Sequence, residues 1–431
     1  MSAAAPTTWV DHLQKLFAKK DRGILLLSIG LQLALGLLFG HAYDMRIYMA
    51  TGYLVSTGQD PYIAQDLSTV FHNPAFQGMT SIGYPPPWAL VDGLIYRLSY
   101  ALVPNLFLYN LAIKLPIIAS NVGLAYLVAA ILRHLGAEAV VTRRAWIFIL
   151  FNPFLLYFAT AWGQFDSLVA LLTLLALVML YYQRIELSAI LLVLAISFKP
   201  TPVAITLAAV IFLMGKSWKQ VLRFMAAFLA GIFAFCIAPF MLFGWDATPI
   251  LQNWNAQFTV GGGMTIMSFY ELLSDTYALP GWWWLLGIAW IIAIPIGAWL
   301  MRRSGHGFVD LLKMSLGLTL IFFLTRTWLS EPNIILILPM VLILTSLGEL
   351  PNLTLLAVWT LPLIFTVFNT SPPQLLWLTF PELTDKLLHW MDTFRSARLI
   401  ARTVTVIPWL VVGWYMVVRC YRKSLSEVAW K

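Results

Sequence analysis

The sequence predicts an all-α polytopic membrane protein, with about twelve transmembrane helices and a long first outer loop that carries short interfacial helices. Three observations lead there. Of 431 residues, 60% are hydrophobic and only 11% charged, where soluble domains carry roughly 25% charged residues. Mean hydropathy is +0.81. Apolar runs of nearly span length recur along the chain, and basic residues gather in alternate loops.

The first run covers 23–40. A polar stretch to 104 follows as the first loop. Further runs lie at 105–130, 145–162, 166–182, 187–199, 201–215, 224–243, 282–301, 309–328, 331–347, 352–369 and 403–419. The short pair around Lys199-Pro200 reads as one broken helix or as two. The chain thereby divides into an N-terminal segment 1–22, a main transmembrane module 23–349 that includes the loop 41–104, and C-terminal transmembrane helices 350–431. Met1 to Arg22 lacks a signal-peptide pattern and leads straight into a full run.

Loop charge orients these runs. Lys15, Lys19, Lys20 and Arg22 precede the first. Arg133, Arg143 and Arg144 follow the second. Arg184, then Lys216, Lys219 and Arg223, then Arg302 and Arg303, and finally Arg419, Arg422 and Lys423 fall on the same side. The stretch 244–281, on the other side, has no Lys or Arg. Positive residues favour the cytoplasm, so both termini are expected inside. Two places fit less well: the inner loop at Glu349 has no basic residue, and the outer segment 370–402 carries Lys386, Arg395, Arg398 and Arg402. The net charge of +8 therefore reflects topology rather than nucleic-acid binding. Cys236 and Cys420 lie in or beside runs, so neither a disulfide nor a metal cluster is expected, and no metal or other cofactor is called for.

Unusual residues collect on the outer side. Asp44 sits four residues beyond the first run, at the membrane surface, and suits a general base; a helix cap is the plainer alternative. Arg46 follows it. The turn signals GQDPY at 58–62 and GYPPP at 83–87 bracket YIAQDLSTVFHNPAF, which suits a short helix in the headgroup layer. Tyr84 and Trp88 suit substrate contact or interfacial anchoring equally. The turn WGQFDS places Gln164, Asp166 and Ser167 between two runs. Lys199 and Arg326 are cations at run ends, placed to clamp a phosphate or to snorkel. Glu331, across a tight turn, is expected to steady the Arg326 guanidinium. Lys114 lies about 13 Å into the second run, where a buried charge calls for an internal partner or a cavity. No internal repeat of the transporter kind is visible.

In order, these motifs resemble the GT-C class of integral-membrane glycosyltransferases, and within it glycosyltransferase family 87 and its mannosyltransferase-like neighbours. The resemblance rests on Asp44 just after the first run, then Tyr48, Gly58-Gln59-Asp60-Pro61-Tyr62 and Tyr84-Pro85-Pro86. It continues through Asn152-Pro153, Trp162-Gly163-Gln164-Phe165-Asp166-Ser167, Phe198-Lys199-Pro200 and Ser330-Glu331-Pro332-Asn333. It spans residues 40 to about 345. It implies an inverting transfer of a sugar, mannose by analogy, from a polyprenyl-phosphate donor to an acceptor hydroxyl on a glycolipid or other acceptor. Asp44 is then the base, and no nucleotide is needed. Arg46, Tyr84, Lys114, Gln164, Asp166, Lys199, Arg326 and Glu331 are the expected substrate-binding residues. Relatives often carry an acid where this chain has Ser120-Asn121-Val122. The competing class is a transporter or flippase of a lipid-linked sugar, which would need polar groups on both faces.

Overall fold

A computed structural model describes residues 19–257, 261–274, 277–302, 305 and 307–422. Within them the chain is helical almost throughout. One small parallel sheet pairs Gly262–Gly263 with Trp328–Leu329. Six helical segments are long and apolar enough to cross a membrane: Asp21–Leu38, Leu106–His134, Ala139–Trp162, Trp218–Phe243, Gly281–Met301 and Arg395–Cys420. Asp166–Tyr181, Ile185–Phe198, Val203–Met214, Glu331–Ser346 and Asn352–Val367 are shorter apolar helices. The pair around Lys199-Pro200 is two helices, of 14 and 12 residues. At 1.5 Å per residue neither reaches the roughly 30 Å of a bilayer core unaided. Helix length alone therefore supports six crossings, not the expected twelve. Residues 1–18 of the expected N-terminal segment, with Lys15, lie outside the described residues, as do Arg303 and Lys423.

Side chains on the long helices face outward in numbers that water would not tolerate. Leu222, Leu229, Met241 and Leu242 are exposed on Trp218–Phe243, as are Ile292 and Trp299 on Gly281–Met301. Continuous apolar surface of that kind fits lipid.

Contacts sort the connections into two ends. At one, Arg143 pairs with Asp21, Arg223 with Glu186, and buried Lys313 with Glu349 and the Arg422 carbonyl. At the other, Gly40 N–H donates to the Leu375 carbonyl and His41 N–H to the Trp162 carbonyl, each at 3.2 Å. The Asp60 carboxylate there accepts from the Tyr62 and Asp246 N–H groups, tying the first loop to the stretch after Gly244. The C-terminal helices share the core of the rest: Val406, Trp409 and Met416 are buried in one cluster with Leu318 and Leu320.

The end of the first helix is held at a fixed depth. Carbonyls in a helix's last turn have no partner within the helix. Here the Asn110 Nδ2 amide reaches the Gly36 and Phe39 carbonyls at 2.7 Å each. Lys114 donates to Gly36, to Phe39 and, at 2.8 Å, to the Ala161 carbonyl. A β-carbon on Gly40 would lie 2.5 Å from Asn110 Oδ1, so only glycine lets the chain turn this close.

The first loop begins with the helix Ala42–Ser56, packed on Pro86–Leu98. Between them stand a short helix, Leu67–Phe71, and a 3₁₀ turn, Pro74–Phe76. Asp66 caps the former, accepting from Ser68 N–H at 2.8 Å. Asp92 is fully buried among this packing, and burial raises its carboxyl well above the usual range. With its side chain wholly buried in the core, it is not presented to a substrate as a base must be.

Candidate active site

Asp44 lies in the first turn of Ala42–Ser56, where the helix dipole favours a negative charge. Its Oδ2 accepts a hydrogen bond from the Trp162 indole N–H and another, 2.7 Å long, from Gln164 Nε2. Oδ1 has no partner among the described residues, and the side chain is 21% exposed. One carboxylate oxygen is thus anchored and the other presented.

The donors come from an unusual piece of backbone. Asn152 ends the helix Ala139–Phe151, and its side chain caps Phe154 and Leu155 as the chain restarts at Pro153. The next seven residues, Leu156–Trp162, form a π-helix. Such wide turns are rare and recur at functional sites. The π-helix closes at Gly163, whose φ of +99° is left-handed. A β-carbon there would also meet Met45 Cε at 2.6 Å. The left-handed backbone favours glycine here, and the turn aims Trp162 and Gln164 at Asp44.

His41 completes this corner. Its ring stacks on Trp162 with centroids 4.0 Å apart and planes 7° from parallel. Burial lowers the imidazole to about 4, against the pull of the Asp44 carboxylate. It is therefore neutral at neutral pH, and its Nδ1 stands 3.4 Å from Asp44 Oδ2. The hydrogen bonds to Asp44 come from the neutral Trp162 and Gln164 side chains rather than from cations.

Behind Gln164 lies Lys199, the residue that ends Ile185–Phe198. Its Nζ is 3.2 Å from Gln164 Oε1 and 2.7 Å from Asp166 Oδ2. An ammonium only donates and a carboxylate only accepts. The Gln164 amide can satisfy both neighbours in one orientation: oxygen toward Lys199, nitrogen toward Asp44. Asp44, Gln164, Lys199 and Asp166 form one line. The Lys199–Asp166 pair is buried, with 8% and 1% of the side chains exposed. Tyr84 and Phe165 flank Lys199, each ring centroid 5.7 Å from Nζ.

The structure brings Asp44, Gln164, Asp166, Lys199 and Tyr84 together. It employs the other expected residues differently. Lys114 is wholly buried and spends its protons on three carbonyls, so it supports the site from below. Arg46 lies over the Trp377 ring at 5.0 Å. Glu331 accepts from Thr366 at 3.1 Å and from Asn369 at 3.2 Å, rather than from Arg326. Arg326 lies over the Phe322 ring at 4.7 Å and pairs with no carboxylate among the described residues. Burial lowers its guanidinium to about 10, which still leaves it charged at neutral pH. Asn121, where an acid was of interest, joins a buried amide network with Gln32 and Thr160. Among the described residues no three His, Cys, Asp or Glu side chains gather as a metal site needs.

Sequence reasoning missed two members of the site. His41 stands one helical turn before Asp44, a spacing that was open to inspection. The Trp162 indole was noted only as a neighbour of Gln164.

Long apolar helices with a connected cluster of polar side chains fit an integral membrane protein with a site for chemistry or binding. Over residues 83–327 the chain matches the sequence pattern of glycosyltransferase family 87, and it belongs to that family. It is therefore a glycosyltransferase. The matched stretch includes Tyr84, Lys114, Gln164, Asp166, Lys199 and Arg326; Asp44, Arg46 and Glu331 lie outside it. No curated protein matches the chain.

Proposed function

We propose that the protein is an inverting glycosyltransferase of GT-C type. It moves a hexose, mannose by family analogy, from a polyprenyl-phosphate donor to an acceptor hydroxyl at the extracytoplasmic surface. The observation that carries this reading is the presentation of Asp44: Oδ2 held by Trp162 and Gln164, Oδ1 left to meet a proton. In the reaction the acceptor oxygen attacks C1 of the sugar. The bond from C1 to the phosphate oxygen breaks, and its electron pair leaves with the polyprenyl phosphate. The acceptor proton passes to Asp44 Oδ1. Alignment of base and donor supplies much of the rate. The depth of Asp44 suits this chemistry, because a lipid-linked sugar carries its phosphate at headgroup level and the first helix is pinned at its end by Asn110 and Lys114. Arg326 is the expected cation that keeps its charge without a carboxylate partner among the described residues, which suits the developing charge on the leaving phosphate. Tyr84 and Arg46 border the same end, and the C-terminal part of the chain reaches it through the turn residues Asn369 and Trp377.

The reading is tested by offering purified protein in lipid nanodiscs a panel of hexoses, each linked to polyprenyl phosphate or to a nucleotide, with a short glycolipid acceptor. Mass spectrometry should find transfer from a lipid-linked member and none from the nucleotide sugars. Transfer from the nucleotide sugars alone would reject the lipid donor.

Both termini are assigned to the cytoplasm and Asp44 to the opposite face, because the basic loops share the end that holds Arg143. Single cysteines at Arg143 and at exposed Tyr277, in a chain without Cys236 and Cys420, report this with an impermeant thiol reagent. Intact cells should label Tyr277→Cys and spare Arg143→Cys; the reverse pattern inverts the protein.

A further inference from the structure

The segment 370–402 broke the charge rule in the sequence, and the fold shows where its charges go. Arg395, Arg398 and Arg402 occupy the first two turns of the helix Arg395–Cys420. At that spacing they share one face. The three line an open-sided cavity of about 300 Å³ with Asn369, Thr370, Glu271 and Asp392. That is the lower end of the range for small-molecule sites, roughly 300–1,000 Å³.

The arginines are held rather than loose. Arg398 Nε donates to the Met391 carbonyl at 2.8 Å and Nη1 to the Phe368 carbonyl at 3.1 Å. Arg402 bonds Glu271 Oε1 and lies over the Phe365 ring at 5.4 Å. Two buried polar atoms here have no hydrogen-bond partner among the described residues: Arg402 Nε and Glu271 Oε2. Buried polar atoms are seldom left without partners. Of the two carboxylates, Asp392 is at the rim, with its side chain 73% exposed and 3.9 Å from Arg398. Three guanidinium groups thus meet two carboxylates among the described lining residues, and the helix N-terminus adds positive potential.

The cavity adjoins the Asp44 end without being part of it. Asn369 lines it and also donates to Glu331. A few residues on, the Leu375 carbonyl receives Gly40 N–H and Trp377 lies under Arg46.

We propose that this cavity binds the phosphate group of a lipid, with Arg395, Arg398 and Arg402 as its ligands and Glu271 as a built-in competitor for Arg402. Planar guanidinium groups suit phosphate oxygens, which they bind in pairs. Two lipids present that group here: the free polyprenyl phosphate released from the proposed donor, and an anionic phospholipid. The site rests on the lipid-donor reading only for the first of these.

The test measures binding to the full-length protein in neutral detergent by native mass spectrometry. The probes are polyprenyl monophosphate with its parent alcohol, and phosphatidylglycerol with phosphatidylcholine. At least one phosphate-bearing anionic probe should bind well above its control, and which one does so names the source. Arg395→Gln and Arg398→Gln should each weaken it about tenfold, the scale of one lost charge-assisted bond. Arg402→Gln alone strands Glu271, so Arg402→Gln with Glu271→Gln is the sound variant, and it should lose binding while keeping its melting temperature. Glu271→Gln alone should tighten binding, which a merely structural ion pair would not do. Equal binding of anionic and neutral probes, or binding indifferent to all these variants, overturns the site. Arginine-dependent binding of phosphatidylglycerol, in a protein that transfers no sugar from any lipid donor, leaves the site standing and removes the lipid-donor reading. Transfer from a lipid donor with binding and KM untouched in the arginine variants does the opposite.

Discussion

Replacing Asp44 by Asn is expected to lower turnover by at least about 100-fold, within the 10²- to 10⁴-fold that general-base help supplies. The substitution is nearly isosteric. The amide oxygen still accepts from Trp162 and Gln164, so the corner keeps its shape. The amide nitrogen then stands where Oδ1 stood and cannot take a proton. Donor affinity should change little, because the loss falls on the transition state. The check is single-turnover kinetics at saturating donor, with donor binding measured separately. Near-normal turnover would place the base elsewhere.

Lys199→Met should affect stability and activity together, and a second substitution separates them. Asp166, at 1% side-chain exposure, would lose its partner. Breaking a buried pair by removing one member costs about 3–5 kcal/mol, so the melting temperature should fall sharply. The double variant Lys199→Met with Asp166→Leu removes both charges and should recover most of that stability. It should not recover turnover, because Gln164 Oε1 has then lost the donor that turns its amide toward Asp44. Full activity in the stable double variant would show that the line from Lys199 to Asp44 is only packing.

The parts legible in sequence were those encoded locally. Apolar runs and loop charges located the helices, because a span is a contiguous stretch of chain. The turn WGQFDS announced Gln164 and Asp166, and Lys199 was legible as a cation at a helix end. What sequence could not supply was partnership across the fold. Glu331 was expected to steady Arg326, five residues away, yet it takes Thr366 and Asn369 from 35 and 38 residues on. Depth alone said that Lys114 needs an internal partner, and it found three carbonyls on two other segments. Arg395, Arg398 and Arg402 were visible only as exceptions to a charge rule, because the other walls of their cavity include Glu271 and Asn369 from distant stretches. Helix length among the described residues supports six of the twelve crossings, since a short apolar helix has the composition of a span without its length.

The central claim is that Asp44 drives a direct displacement at C1 of a lipid-phosphate sugar. Its most direct test is the anomeric configuration of the product. A polyprenyl-phosphate hexose of defined configuration is given to the purified enzyme, and the glycosidic bond formed is read by NMR. The account predicts the opposite configuration at C1, release of free polyprenyl phosphate, and neither product from Asp44→Asn. Retained configuration, or inverted product formed at the wild-type rate without the Asp44 carboxylate, would contradict it.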